Sequence, residues 1–192
     1  PPETLLSRSF FLKHTEIFFD YYRKFLLYPA AQPNDCHRAL AKLEREGKLS
    51  AIITQNIDGL HQKAGSRVVY ELHGTAHKNY CMNCGRLFTM QDIIDRAGVP
   101  YCACGGIIKP DVVLYEEPLN EKVLSAAIAQ MHKADTLIIG GTSLLVYPAA
   151  GLIDYFHGRS LVVINLGKTS RSGSATLNIS APIGQVLRRT VL

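Results

Sequence analysis

LSAIITQNIDGLH, residues 49–61, sets an uncharged, β-branched run directly against a polar loop. The run from Leu49 to Thr54 is short and apolar, as a strand buried on both faces reads. Gln55, Asn56 and Asp58 follow it, and Gly59 allows a sharp turn. In an open parallel sheet, ligands sit at the carboxyl ends of the strands, so these side chains are expected to face a crevice. Side-chain amides both donate and accept, which suits an amide-bearing or ribosyl ligand. A simple turn built on Asn, Asp and Gly explains the same residues equally well.

The pattern recurs along the chain. DTLIIGG (135–141) reads as a strand ending in glycines, and SLVVINL (160–166) as another. After the first come Gly141, Thr142 and Ser143, a backbone and hydroxyl set suited to phosphate or ribose. At the end of the second stands Asn165. Further strands are predicted at Val68–Leu72, DVVLY (111–115) and TLNI (176–179). Helices are predicted over 3–28, from an Asn34 N-cap to Glu46 with Gly47 as the stop, and over 120–132, 148–157 and 182–190. Strands alternating with helices predict an α/β fold: a Rossmann-like parallel sheet with helices on both faces.

Residues 77–110 differ. They hold Cys81, Cys84, Cys102 and Cys104, short strand-like pieces and one amphipathic stretch at 89–97. This is too little apolar material for an independent core, so a staple is expected. C-x-x-C, seventeen intervening residues and C-x-C supply four thiolates, the full ligand set of a tetrahedral structural zinc. The competing reading is four reduced thiols without a role. A closed four-thiolate site has no open position and should not activate water. The remaining cysteine, Cys36, reads as a small buried residue on a helix. The organisation is then a helical segment (1–33), a Rossmann-like domain (34–76 and 111–192) and an inserted zinc ribbon (77–110).

Among seven histidines, His73 in ELHGT follows a strand and precedes Gly74, a position suited to a crevice-facing base, with His61 as the other candidate. His14, His37, His132 and His157 fall on predicted helices and read as surface or packing residues. His77 adjoins the cysteines, but four thiols already complete a zinc site.

The 192 residues are 47% hydrophobic and 19% charged, which excludes a disordered chain. The formal charge is +5, and a zinc with four thiolates, itself −2, takes it to +3. No dense Lys/Arg run accompanies it, so nucleic acid is not expected as a direct ligand. Residues 136–153 are uncharged over 18 positions, long enough for a membrane span, but Gly140, Gly141 and Pro148 read as a strand, a loop and a new helix. PPETLLSRSF carries no secretion signal, and five cysteines suit a reducing, cytoplasmic compartment.

Together these elements resemble the sirtuins, NAD⁺-dependent protein lysine deacylases, of bacterial type. TQNIDGLHQKAG (54–65), ELHGT (71–75), the four cysteines, CGGIIKPDVVLYEE (104–117), GGTSLLVYPAA (140–150) and VVINL (162–166) stand in the family's order. The resemblance implies that His73 is the catalytic base, with Asn56 and Asp58 at the nicotinamide and its ribose and Gln55 lining the same site. It assigns Gly141, Thr142 and Ser143 to phosphate and ribose, and Asn165, Leu166, Gly167 and Ile183 to the adenosine end. Ile57, Val113, Leu114 and Tyr115 would line the acyl-lysine tunnel, and the cysteines would hold structural zinc. The implied reaction gives nicotinamide and O-acyl-ADP-ribose, acetyl being the leading acyl group, with acyl-lysine proteins or peptides as partners. An aliphatic tunnel suits a neutral acyl-lysine, because desolvating an ammonium is costly.

Two features depart from the family. YEE (115–117) stands where Phe-Gly-Glu is commoner, which bears on peptide contacts. The opening PPETLLSRSFF, starting at Pro1, does not supply the family's Gly-rich cofactor loop, so the first βα unit is expected to be absent. The alternatives are an inactive fragment, a protein mono-ADP-ribosyltransferase and a zinc-ribbon module that binds nucleic acid.

Overall fold

The computed structural model describes residues 1–146 and 149–192; Tyr147 and Pro148, and with them the start of the helix predicted at 148, lie outside them. The chain divides into two compact units. The first comprises Pro1–Ala31, Asn56–Gly59 and His73–Leu119; the second comprises Gln32–Gln55, Leu60–Leu72 and Asn120–Leu192.

The second unit carries the parallel sheets. Strand β1 (Ile52–Thr54) pairs in parallel with β2 (Val69–Glu71). Strands β6 (Thr136–Gly140), β7 (Ser160–Ile164) and β8 (Leu177–Ile179) form a second parallel sheet in that order. Alternation along β7 sends its residues to opposite faces. Val163 packs with Ile139 of β6 and with Ala150 and Ile153 of a 3₁₀ helix, Ala149–Tyr155. Ile164 packs on the other side with Ala39 of α4 (Asp35–Arg45) and Leu187 of α8 (Ile183–Thr190). Ala127 and Met131 of α7 (Glu121–Lys133) cover Leu72, Ile53 and Tyr70. The predicted α/β layering is therefore present, with the helix expected over 148–157 described as 3₁₀ from Ala149 to Tyr155.

Local signals set the helix ends. Asn34 accepts from the N–H groups of Cys36 and His37, and Nδ1 of His37 lies 3.2 Å from the Asn34 backbone nitrogen, completing a capping box. Asn120 caps α7 in the same way, through Lys122 and Val123.

The first unit is built on aromatic rings and an antiparallel sheet. The predicted helix over 3–28 is three: α1 (Pro2–Leu5), α2 (Arg8–Lys13) and α3 (Thr15–Phe25). The break at residues 6–8 has a tertiary cause. Ser7 bridges Tyr115 in parallel, Tyr115 N–H donates to Leu6 O, and Arg8 N–H donates to Tyr115 O, both at 3.0 Å. Ser7 then caps α2 by accepting from Phe10 N–H. Phe11, Phe18 and Phe19 meet edge to face, and Phe18 stacks on Tyr22 with centroids 5.6 Å apart. This cluster includes Ile93, Ile108, Cys81 and Cys102.

Strand β3 (Gly74–Cys81) lies between β4 (Leu87–Thr89) and β5 (Ile108–Val112). The strand predicted at 111–115 thus starts earlier, ends earlier and pairs antiparallel with β3. Pro110 lacks an N–H, which an edge strand tolerates. The amphipathic stretch at 89–97 yields α6 (Met90–Ile94), capped by Thr89 and Asp92. The loop expected at 55–65 contains a short helix, α5 (Leu60–Lys63).

Candidate active site

Glycine at position 74 determines how the first unit assembles its site. Gly74 has φ +74°, and a Cβ there would stand 2.0 Å from Asp111 O. Only glycine lets β3 and β5 approach this closely. Their approach sets Val113 N–H 2.9 Å from His73 O, so the candidate base is tied by backbone to the start of the Val113–Tyr115 segment.

The same strand anchors the polar loop. Ala76 N–H donates to Ile57 O at 2.9 Å, and the Ile57 side chain packs on the aromatic core. His77 Nε2 lies 2.9 Å from Asp58 O, and a Cβ on Gly59 would stand 2.7 Å from the His77 ring. Asn56, Ile57, Asp58, His73, Val113, Leu114 and Tyr115 therefore share one compact unit, with Asn56 exposed and Asp58 half-buried. His77 is a support that sequence reading set aside. No local periodicity links it to Asp58, nineteen residues away.

The N–H groups of Val113, Leu114 and Tyr115 all donate within the chain, to His73 O, Glu117 Oε2 and Leu6 O. The carbonyl oxygens of Leu114 and Tyr115 likewise accept from Glu117 and Arg8 N–H, and the Tyr115 ring is exposed. Lys109, which is buried, directs its ammonium at Val112 O (3.0 Å) and Glu117 Oε2 (3.1 Å), and this ties β5 to the following loop. Glu117 in turn accepts from Leu114 N–H at 2.9 Å. A buried charge held this way is costly to unpair.

His61, the other candidate base, is buried on α5 with its ring 4.7 Å from that of His37, in a packing position. His132, Tyr155 and His157 are exposed and meet as surface rings, with His157 lying just past the 3₁₀ helix rather than on it.

The four cysteines converge. Their sulfurs all lie within 4.8 Å of one another, with Cys81–Cys104 at 3.4 Å and Cys84–Cys102 at 3.7 Å. A tetrahedral zinc with Zn–S bonds of about 2.3 Å needs sulfurs roughly 3.8 Å apart. The donor set fits. Asn83 and Cys84 direct backbone N–H groups at Cys81 Sγ, and a Cβ on Gly106 would come within 2.6 Å of that sulfur. The shorter C-x-C pair closes through Gly105, at φ +81°, and the Tyr101–Ile107 bridge. The Gly106 N–H, aided by neighbouring thiols, pulls the Cys104 thiol down to about 6. Burial pushes Cys36 up to about 11, as suits an inert packing thiol.

In the second unit, a cleft of about 420 Å³ opens at the carboxyl ends of β6 and β7. Gly141, Asn165, Leu166 and Ile183 line it. Its size suits a nucleoside-sized ligand. A Cβ on Gly140 would fall 2.2 Å from Ile183 Cδ1 and 3.1 Å from Ile164 O, so glycine keeps α8 seated close to the strand end. Asn165 donates its amide to Gly167 O at 3.0 Å, which leaves the amide oxygen to accept. Thr142 Oγ1 accepts from Leu144 N–H at 3.1 Å and stabilises a turn in which Leu144 is buried at φ +57°. Ser143 is exposed beside it, and Gln55 directly follows β1 in this same unit. Among the described residues no helix is long and apolar enough to cross a membrane.

Comparison with known proteins agrees with this arrangement. The chain is 53% identical over 193 residues to the NAD-dependent protein deacetylase of Clostridium acetobutylicum, covering 100% of this chain and 79% of that protein. It is 56% identical over 192 residues to the protein of the same name from Clostridium perfringens, covering 99% and 79%. A solved Sir2 variant, with deacetylated p53 peptide and 3'-O-acetyl-ADP-ribose, superposes with TM-score 0.92 at 38% identity over 98% of this chain and 79% of that one. The Sir2 family model matches residues 1–148, and on that match and these identities the chain belongs to the Sir2 family.

Proposed function

We propose that this protein removes acetyl groups from lysine side chains of proteins in an NAD⁺-dependent reaction, releasing nicotinamide and O-acetyl-ADP-ribose. The observation that carries the reading is the bond from Val113 N–H to His73 O. It ties a candidate general base to the segment proposed to receive the acyl-lysine. The deacetylase relatives and the product bound in the Sir2 neighbour support the same activity.

NAD⁺ supplies the glycosidic bond to nicotinamide whose cleavage accompanies acyl transfer. The residues of this chain divide the remaining work. His73 accepts a proton from a ribose hydroxyl, a role that suits an imidazole near neutral pH. Asn56 and Asp58 orient the nicotinamide end, with Gln55 lining the same site. Gly141, Thr142 and Ser143 take phosphate and ribose. Asn165, Leu166, Gly167 and Ile183 hold the adenosine end, for which the cleft at β6 and β7 has suitable volume. Ile57, Val113, Leu114 and Tyr115 receive the acyl-lysine, and their apolar surface excludes water and a charged ammonium.

Zinc on Cys81, Cys84, Cys102 and Cys104 is structural, since four thiolates leave no position for water. The Rossmann-like part of the chain is 34–76 with 111–192, the zinc ribbon is 77–110 and the helical segment is 1–33. The compartment is the cytoplasm, where thiols stay reduced. The test is a product assay. Purified chain, NAD⁺ and an acetyl-lysine peptide are expected to yield equal amounts of nicotinamide, deacetylated peptide and O-acetyl-ADP-ribose by mass spectrometry. Label transferred from NAD⁺ to protein without loss of acetyl would overturn the reading.

A further inference from the structure

We infer that Glu116 is a positioning residue that sets the loop receiving the acyl-lysine peptide; this rests on the deacetylase reading above. Glu116 has φ +74°, a conformation that L side chains rarely adopt and that glycine adopts freely. The commoner Phe-Gly-Glu has glycine at this point. A carboxylate held here against its backbone preference is expected to do something glycine cannot.

The contacts show what that is. Glu116 Oε2 accepts from Ser9 N–H at 2.9 Å, and Oε1 accepts from the Ser9 hydroxyl at 2.8 Å. Both carboxylate oxygens are engaged by one residue of α2, and bonds to an ionised acceptor are the stronger kind. Just before it, Tyr115 is bridged to the same stretch through Leu6 O and Arg8 N–H. Just after it, Glu117 holds Leu114 N–H and the Lys109 ammonium. The loop from Val113 to Glu117 is therefore fixed on both sides of a strained residue, and its near end is bonded to His73 O. Glu116 closes the turn. Without its carboxylate the turn between Tyr115 and Glu117 loses its tie to Ser9 of α2 and the strained residue is free to relax, while no group proposed to touch the reacting atoms is removed.

The test compares wild type with E116A, E116G and E116Q. The readouts are steady-state kinetics with an acetyl-lysine peptide and NAD⁺, anisotropy of the labelled peptide, and thermal midpoints. E116A is expected to raise the peptide KM and Kd about tenfold, while kcat and the KM for NAD⁺ stay within about twofold. E116Q keeps one acceptor oxygen and should recover part of the loss, to about threefold. E116G relieves the backbone strain, so its thermal midpoint should match or exceed that of E116A while its peptide affinity stays impaired. Wild-type peptide affinity in E116A would overturn the inference and leave the deacetylase reading standing. Equal losses in peptide KM, NAD⁺ KM and kcat without rescue by E116Q would also overturn it, as a general structural effect. A wild-type chain that neither binds the acetyl peptide nor releases nicotinamide would overturn both.

Discussion

The first unit buries aromatic rings and two cysteines beside its aliphatic side chains, whereas the buried hydrophobics of the second are aliphatic, with Met131. Phe11, Phe18, Phe19 and Tyr22 are essentially inaccessible in the first unit, and their cluster runs into Cys81 and Cys102. In the second unit, Ile139, Val163, Ile164 and Leu187 are among the buried residues, the first three on parallel strands and the last on α8. The antiparallel piece of the first unit has short strands and leaves Leu87 and Tyr101 exposed. It needs a cross-link to persist, whereas the parallel sheet is held by the helices on its two faces. The comparison teaches where each part of the proposed site gets its rigidity. The proposed base and acyl-lysine segment rest on the unit that carries the four clustered cysteines, and the proposed nucleotide cleft rests on ordinary hydrophobic packing.

The largest expected effect tests which unit carries the chemistry. His73→Ala should lower deacetylation by about 10³-fold, within the range for loss of a general base. Zinc content and NAD⁺ affinity should be unchanged, by metal analysis and calorimetry. An equal loss of NAD⁺ affinity would break the division of labour between the units.

Metal removal tests the staple. A chelator strong enough to strip zinc from Cys81, Cys84, Cys102 and Cys104 should lower the midpoint of the first unit by on the order of 10 °C or more. Hydrogen exchange should then rise across β3, β4 and β5, while β6, β7 and β8 keep their protection. Loss of protection in both units together would show that they share one stability.

The smallest effect lies in the cleft. Gly140→Val places carbon against Ile183 Cδ1 and Ile164 O. Overpacking of this kind costs about 1–3 kcal/mol of stability and displaces Ile183 at the cleft wall, so NAD⁺ affinity measured by calorimetry should fall by several-fold. Zinc content should not change. Unaltered NAD⁺ binding would remove Ile183 from the site.

Much of the second unit was legible in the chain. The strands β1, β6, β7 and β8, the Asn34 cap and the helices α4, α7 and α8 follow from apolar runs, helical periodicity and stop or capping residues, all of which act over a few residues. The first unit was less legible. At 6–8 the only local signal is Ser7, which caps α2; the backbone bonds to Tyr115 complete the break. The strand read at 111–115 shifted to Ile108–Val112 because Gly74 sets how β3 meets β5. His77, set aside as a neighbour of the cysteines, supports Asp58 O across nineteen residues.

By itself, then, the sequence determined the four-cysteine cluster and the polar ends of the strands. Four cysteines within 24 residues carry their own geometry in their spacing, and a polar residue after a buried strand is placed by the strand. Only the tertiary structure decided that His73 is bonded to Val113 and that Glu116 is held by Ser9. Those bonds join segments far apart in the chain, and such pairings leave no period, spacing or composition for a sequence to display.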